Sequence, residues 1–203
     1  MHGFRDSPDN LWISWLRGEL EARGFEVITP LLPNSNMPRL DKWLTTLGEA
    51  VGELDAQTTL VAYSLGTPTT LRLLDNYPQD IKLAGLVLVA GFGDGIRERP
   101  GALFSPPLNF ERLVARANMR VVIYSDNDPI VAPKRSKLLA TRLAAREVIV
   151  LGAGHFLGGK RLPGSTATLP AALEAVLSAY PSSFWKRLRN WLSWARPRLS
   201  SKI

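Results

Sequence analysis

Val61-Ala62-Tyr63-Ser64-Leu65-Gly66 decides the reading of this chain, because it joins a strand to a helix. Thr58 to Tyr63 is apolar and β-branched, the pattern of a buried strand. Leu65 to Asn76 has helical spacing and stops before Pro78. A sharp turn between two such elements pushes the Ser64 side chain out at the end of a sheet. It also aims the first N–H groups of the helix at whatever the serine attacks. Small residues two before and two after the serine relieve the crowding of that turn. Gly66 meets the requirement, and Ala62 stands where a glycine is usual. Taken alone, the pattern also fits an ordinary helix-capping serine, which is the commoner case.

Outward from this stretch the chain alternates short β-type runs with helical ones. Upstream, Ser7-Pro8-Asp9-Asn10 opens a helix carrying Leu11, Trp12, Trp15, Leu16 and Leu20 that should end near Gly24. Phe25 to Ile28 then reads as a strand stopped by Pro30, and Asp41 as the cap of a helix bearing Trp43, Leu44, Leu47, Val51 and Leu54. Downstream, Leu83 to Ala90 is wholly apolar, as suits a parallel strand buried on both faces. Gly91 to Phe110 is irregular and rich in Gly and Pro, long enough for a functional loop or cap. Met119–Tyr124, Pro133–Ala145 and Val148–Leu151 read as strand, helix and strand, and Thr168–Tyr180 as a closing helix. Five strands alternating with helices predict an α/β fold with a mostly parallel sheet flanked by helices.

Two further motifs raise the weight of Ser64. Ser125-Asp126-Asn127-Asp128-Pro129 follows the strand ending at Tyr124, and Gly152-Ala153-Gly154-His155-Phe156 follows the one ending at Leu151. A serine, an acid and a histidine thus each sit just beyond the C-terminal end of a strand, where open parallel sheets place their sites. The order Ser, Asp, His is that of the α/β-hydrolases. Only two histidines occur in the chain, and one of them lies where such a relay needs its base.

The sequence resembles the small serine hydrolases of the family that includes the retinoblastoma-binding serine hydrolase and its bacterial relatives. The resemblance covers roughly residues 1–180. It rests on His2-Gly3-Phe4, Ser7-Pro8, Trp12 to Leu16, Pro30 to Pro38, Trp43-Leu44, Ala62 to Gly66, Leu86 to Val89, Pro107 to Phe110, Ser125 to Pro129 and Gly154-His155-Phe156. It implies a compact α/β-hydrolase without a large cap, acting on ester or amide bonds with no cofactor. Carried over by residue, Ser64 is the nucleophile, His155 the general base and Asp128 the acid that orients the imidazole. Asp126 competes for the third role, and Asp128 is preferred because the family's acid directly precedes the proline. The backbone N–H groups of Leu65 and Phe4 would hold the oxyanion. His2 is expected to shape its loop.

Two departures stand out. In the family a strand of about half a dozen residues, interior to the sheet, precedes the His-Gly loop, whereas here Met1 adjoins His2. Losing an interior strand would orphan a row of backbone groups at ~1–3 kcal/mol each, a sum comparable with the ~5–15 kcal/mol stability of a whole domain. The expectation is therefore a sequence truncated at its N-terminus, by a start codon assigned too late. The second departure is the C-terminal extension. Residues 182–203 carry six bases and no acid, while the other 181 residues hold 19 bases and 18 acids. Residues 1–181 are thus read as the hydrolase domain and 182–203 as a basic, aromatic, amphipathic extension. Phe184, Leu188, Trp191 and Leu192 lie on one helical face, which suits either a peripheral membrane contact or packing back on the domain.

Composition narrows the field further. With 45% hydrophobic and 21% charged residues, the 203-residue chain can bury an ordinary core. It has no cysteine, which excludes disulfides, thiolate metal sites and a cysteine nucleophile. Its two histidines are far apart, so no metal cluster is expected. The near-neutral domain argues against nucleic acid as a partner. Gly91-Phe92-Gly93-Asp94-Gly95 lacks the spacing of a dinucleotide loop. The longest apolar run, Leu83 to Phe92, is half of a membrane span of ~18–20 residues. Asp6, Pro8 and Asp9 make the start unlike a secretory signal, so the cytoplasm is expected. The expected activity is cleavage of a small carboxylic ester, amide or thioester through an acyl-serine. The alternatives are a non-catalytic scaffold that retains the fold and a membrane-surface acyl hydrolase.

Overall fold

A computed structural model describes residues 1–93, 106–157, 167–181 and 184. Its centre is a four-stranded sheet, β1 (Thr59–Tyr63), β2 (Leu83–Val89), β3 (Ala117–Ser125) and β4 (Arg146–Val150), in that spatial order. Every pairing is parallel. Parallel neighbours need crossovers, and helices supply them: α3 (Gly66–Asn76) between β1 and β2, α4 (Phe110–Ala115) before β3, and α5 (Pro133–Arg142) between β3 and β4. Helices α1 (Leu11–Glu21) and α2 (Leu40–Val51) precede the sheet, and α6 (Pro170–Ser178) follows it.

The two-residue period of the strands divides the core into two layers. Val87, Val89, Val121 and Ile123 face one side with Trp12 and Leu16 of α1 and Ala172 and Val176 of α6. Leu86, Leu88 and Val122 face the other with Leu71 of α3, Leu113 of α4 and Leu139 of α5. All seven residues of β2 are buried, which explains its uninterrupted apolar sequence.

Two local expectations need correction, and one helix adds to what the sequence reading named. Phe25 to Ile28 is extended but belongs to no ladder, so the described sheet has four strands and not five. A strand is defined by its ladder, and the ladders among the described residues join only β1 to β4. Asp41 does not cap α2: the N-cap is Arg39, and Asp41 lies in the first turn, where it pairs with the Arg39 guanidinium at 3.0 Å. The irregular stretch ends in a helix, since Asn109 caps α4 by accepting the Arg112 N–H at 2.9 Å. The rest of that stretch, residues 94–105, lies outside the described residues, as does the extension at 182–203 apart from Phe184. Phe184 packs on the domain, its ring 4.6 Å from that of Tyr180 and 5.9 Å from that of Phe25.

Candidate active site

Ser64 sits between β1 and α3 with a φ of 49°. A non-glycine residue adopts this left-handed conformation at a cost of order 1 kcal/mol, and it does so where its surroundings fix it. Here the Ser64 N–H donates to Val89 O at 2.9 Å and Ser64 O accepts from the Thr67 N–H at 2.9 Å. The bend needs room on both sides. Ala62 is fully buried. A Cβ on Gly66 would lie 2.6 Å from His2 O, so only glycine lets the N-terminal loop close over the turn. Gly3 makes the reciprocal approach, since a Cβ there would meet Ser64 Cβ at 3.0 Å.

The relay is assembled across 91 residues of sequence. Ser64 Oγ lies 2.8 Å from His155 Nε2, and His155 Nδ1 lies 2.7 Å from Asp128 Oδ2. An ionised Asp128 only accepts, so Nδ1 carries the ring proton and Nε2 is left to accept from the serine hydroxyl. The other Asp128 oxygen accepts the N–H groups of Ile130 at 2.8 Å and Val131 at 2.9 Å. His155 and Asp128 are 5% and 6% exposed, and Ser64 is 8% exposed, enough for the oxygen to be approached from one side.

Asp126 takes another part. Its Oδ1 accepts the Gly152 N–H at 2.7 Å, at the start of the histidine loop. Ser125 and Asn127 do the same work next door: Ser125 Oγ accepts the Ala153 N–H at 3.0 Å and Asn127 Oδ1 the Gly154 N–H at 2.8 Å. Three consecutive side chains at the end of β3 thus hold three consecutive amides before His155. The Tyr63 hydroxyl fixes the fourth residue by donating to His155 O at 2.5 Å. Sequence reasoning missed Ser125, Asn127 and Tyr63 as supports of the histidine. The signal available to it was the density of short polar side chains, which favour bonds to nearby backbone.

The N-terminal loop lies on the other side of the serine. Among the described residues, neither the Phe4 nor the Leu65 N–H donates to a protein group. Both adjoin Ser64, Leu65 by sequence and Phe4 through Gly3. His2 shapes this loop as expected. Its Nε2 accepts the Leu32 N–H at 2.9 Å while Nδ1 donates to Gly3 O at 3.0 Å, and burial lowers its pKa. The neutral ring therefore ties the 1–5 loop to the segment after Pro30. Phe156, next to the histidine, is fully buried in the core with a φ of 53°. No group of three or more potential metal ligands occurs among the described residues. Nor is any helix there long and apolar enough to cross a membrane.

Comparison with known proteins agrees with this geometry. The chain is 35% identical to the hydrolase YdeN of Bacillus subtilis over 159 residues, 77% of this chain and 84% of that one. It is 26% identical to the serine hydrolase RBBP9 of Rattus norvegicus over 159 residues, 76% and 83% of the two chains. The crystal structure of the B. subtilis ydeN product superposes with a TM-score of 0.81 at 33% identity, covering 88% of this chain and 95% of that one. The family model described as Serine hydrolase matches residues 1–161. This chain, with its α/β-hydrolase fold, is a hydrolase that belongs to the serine hydrolase family.

Proposed function

We propose that the protein cleaves small carboxylic esters through an acyl-Ser64 intermediate, with His155 as general base and acid and Asp128 as its orienting partner. The observation that carries this reading is the continuous hydrogen-bonded path from Ser64 Oγ through both ring nitrogens of His155 to Asp128. As the hydroxyl oxygen attacks the substrate carbonyl, its proton passes to Nε2, and the carboxylate beside Nδ1 stabilises the imidazolium that forms. The oxyanion of the tetrahedral intermediate accepts from the Leu65 and Phe4 N–H groups, which have no other partner among the described residues. His155 then returns the proton to the leaving alkoxide. A water activated by the same nitrogen hydrolyses the acyl-enzyme and regenerates the serine.

A fluorophosphonate probe tests the nucleophile, and graded p-nitrophenyl esters test the substrate class. The protein is expected to label at Ser64 and to turn over short esters. Ser64→Ala abolishes labelling and lowers turnover by at least ~10⁴-fold. A folded protein that neither labels nor hydrolyses any ester would be a scaffold on a hydrolase fold.

A further inference from the structure

Nine large apolar side chains stand exposed among the described residues, and four of them belong to the loops that frame Ser64. Phe4 is 46% exposed and follows Gly3, where a Cβ would lie 3.0 Å from Ser64 Cβ. Leu31, 68% exposed, precedes Leu32, whose N–H donates to His2 Nε2 of the same loop at 2.9 Å. Met37, 76% exposed, closes a turn by donating its N–H to Asn34 O at 2.8 Å. The Arg5 N–H holds that turn to the loop by donating to Ser35 O at 2.8 Å. These three side chains stand on the N-terminal-loop side of the serine. Ile130, 52% exposed, stands on the other side, its N–H bonded to the Asp128 carboxylate at 2.8 Å.

Single exposed apolar side chains are ordinary, but a group set on both sides of a nucleophile is not a random scatter. Whatever covers both sides at once also covers Ser64. A protein partner or a second copy seated there would shut out the substrate. The cover that leaves the site at work is therefore the one that carries the substrate. Arg5 adds a cation to the same edge. Its guanidinium lies 5.2 Å from the centroid of the Phe4 ring and has no carboxylate within ion-pair distance among the described residues. An aromatic ring beside an unpaired cation suits the boundary between lipid headgroups and acyl chains.

We propose that the loops framing Ser64 dock on a lipid surface, and that the protein cleaves aliphatic esters drawn from it. This rests on the acyl-Ser64 reading and extends it from small soluble esters to esters held in a lipid phase. Phe4, Leu31, Met37 and Ile130 enter the acyl boundary while Arg5 stays with headgroup phosphates. Ser64 then faces the surface, and an ester carbonyl reaches it without its chain passing through bulk water. The chemistry is unchanged. One water is consumed, the ester C–O bond breaks, the alcohol leaves with the proton from His155, and the acid is released from the acyl-serine.

Two measurements on the full chain test this. Binding is read by sedimentation with vesicles of phosphatidylcholine and phosphatidylglycerol, using the Ser64→Ala protein so that no lipid is consumed. Activity is read on p-nitrophenyl decanoate dispersed in the same vesicles and on p-nitrophenyl acetate in solution. Joint replacement Leu31→Asp and Met37→Asp is expected to weaken vesicle binding and vesicle-borne turnover by about tenfold or more. Acetate turnover stays within about twofold, since neither side chain belongs to the relay or the oxyanion site. Arg5→Gln lowers binding to the anionic vesicles by about fivefold and leaves binding to pure phosphatidylcholine unchanged. The pair Leu31→Gln and Met37→Gln repeats the comparison without new charge, should the Asp pair fail to fold. A folded chain that does not bind vesicles overturns the proposal. Binding that survives both pairs also overturns it and assigns lipid contact to another part of the chain. A fall in acetate turnover equal to that on decanoate overturns it as well. Vesicle binding does not depend on catalysis, whereas absent fluorophosphonate labelling would count against the hydrolase reading alone.

Discussion

The C-terminal rim of the sheet and the outer flank of β1 share one strand, yet they are finished to different degrees. At the rim, Asp128 accepts three hydrogen bonds, and Ser125, Asp126 and Asn127 each hold one amide of the histidine loop. On the flank, β1 has a single rung with Met1, and a cavity of about 680 Å³ follows. The rim is therefore over-determined, with several bonds fixing one histidine, while on the flank one rung holds Met1 to β1. The bonds that position His155 and Asp128 come from Tyr63 and Ser64 at the end of β1 and from residues 125–131 at and beyond the end of β3.

Changes at the rim sharpen this contrast most. Asp128→Asn keeps the shape but lets the ring adopt the wrong tautomer, so kcat/KM on p-nitrophenyl acetate falls by about 10³–10⁴-fold with an unchanged circular dichroism spectrum. Gly66→Ala places a methyl 2.6 Å from His2 O and pushes the 1–5 loop away from the turn. The displaced Phe4 N–H costs about 10²–10³-fold in kcat, while fluorophosphonate labelling persists at a lower rate. Asn127→Ala strands the Gly154 N–H and lowers stability by about 1–3 kcal/mol, seen as a drop in Tm of about 2–4 °C per kcal/mol. If that variant were as stable as the parent, the rim would be less determined than its bonds indicate.

The flank gives the smallest and most distinctive effect. Because the folded Met1 ammonium has its pKa lowered from 8.0 to about 6, unfolding takes up a proton between those values. Stability is thus greatest above pH 8, declines as pH falls to 6, and levels off below. His2, whose pKa is also lowered by burial, acts in the same direction as pH falls below its usual 6.5. The Met1 contribution is at most about 2–3 kcal/mol. Denaturant midpoints between pH 5.5 and 8.5 measure it, and Nα-acetylation should flatten the part due to Met1.

Legibility in the sequence followed how local each feature is. The starts of α1 and β2 and the turn at Ser64 could be read from pattern, and the preference for Asp128 over Asp126 came from the family resemblance, in which the acid precedes a proline. The support given by Tyr63, Ser125 and Asn127 could not. Their partners lie 92, 28 and 27 residues away, and a polar side chain does not announce which amide it will meet. Phe25 to Ile28 failed for the converse reason. Its strand-like composition is intrinsic, but a strand requires a neighbour that composition cannot supply.

The sequence by itself determined the alternation of apolar runs, hence a parallel sheet between two helix layers, and the placing of serine, acid and histidine at strand ends. Side-chain period and turn chemistry are properties of neighbouring residues, so they survive in one dimension. Only the tertiary structure decided that Tyr63, Ser125 and Asn127 meet the histidine loop, that Gly3 lies against Ser64, and that a cavity opens along β1. Each of these depends on where distant segments stop relative to one another, and packing sets that distance.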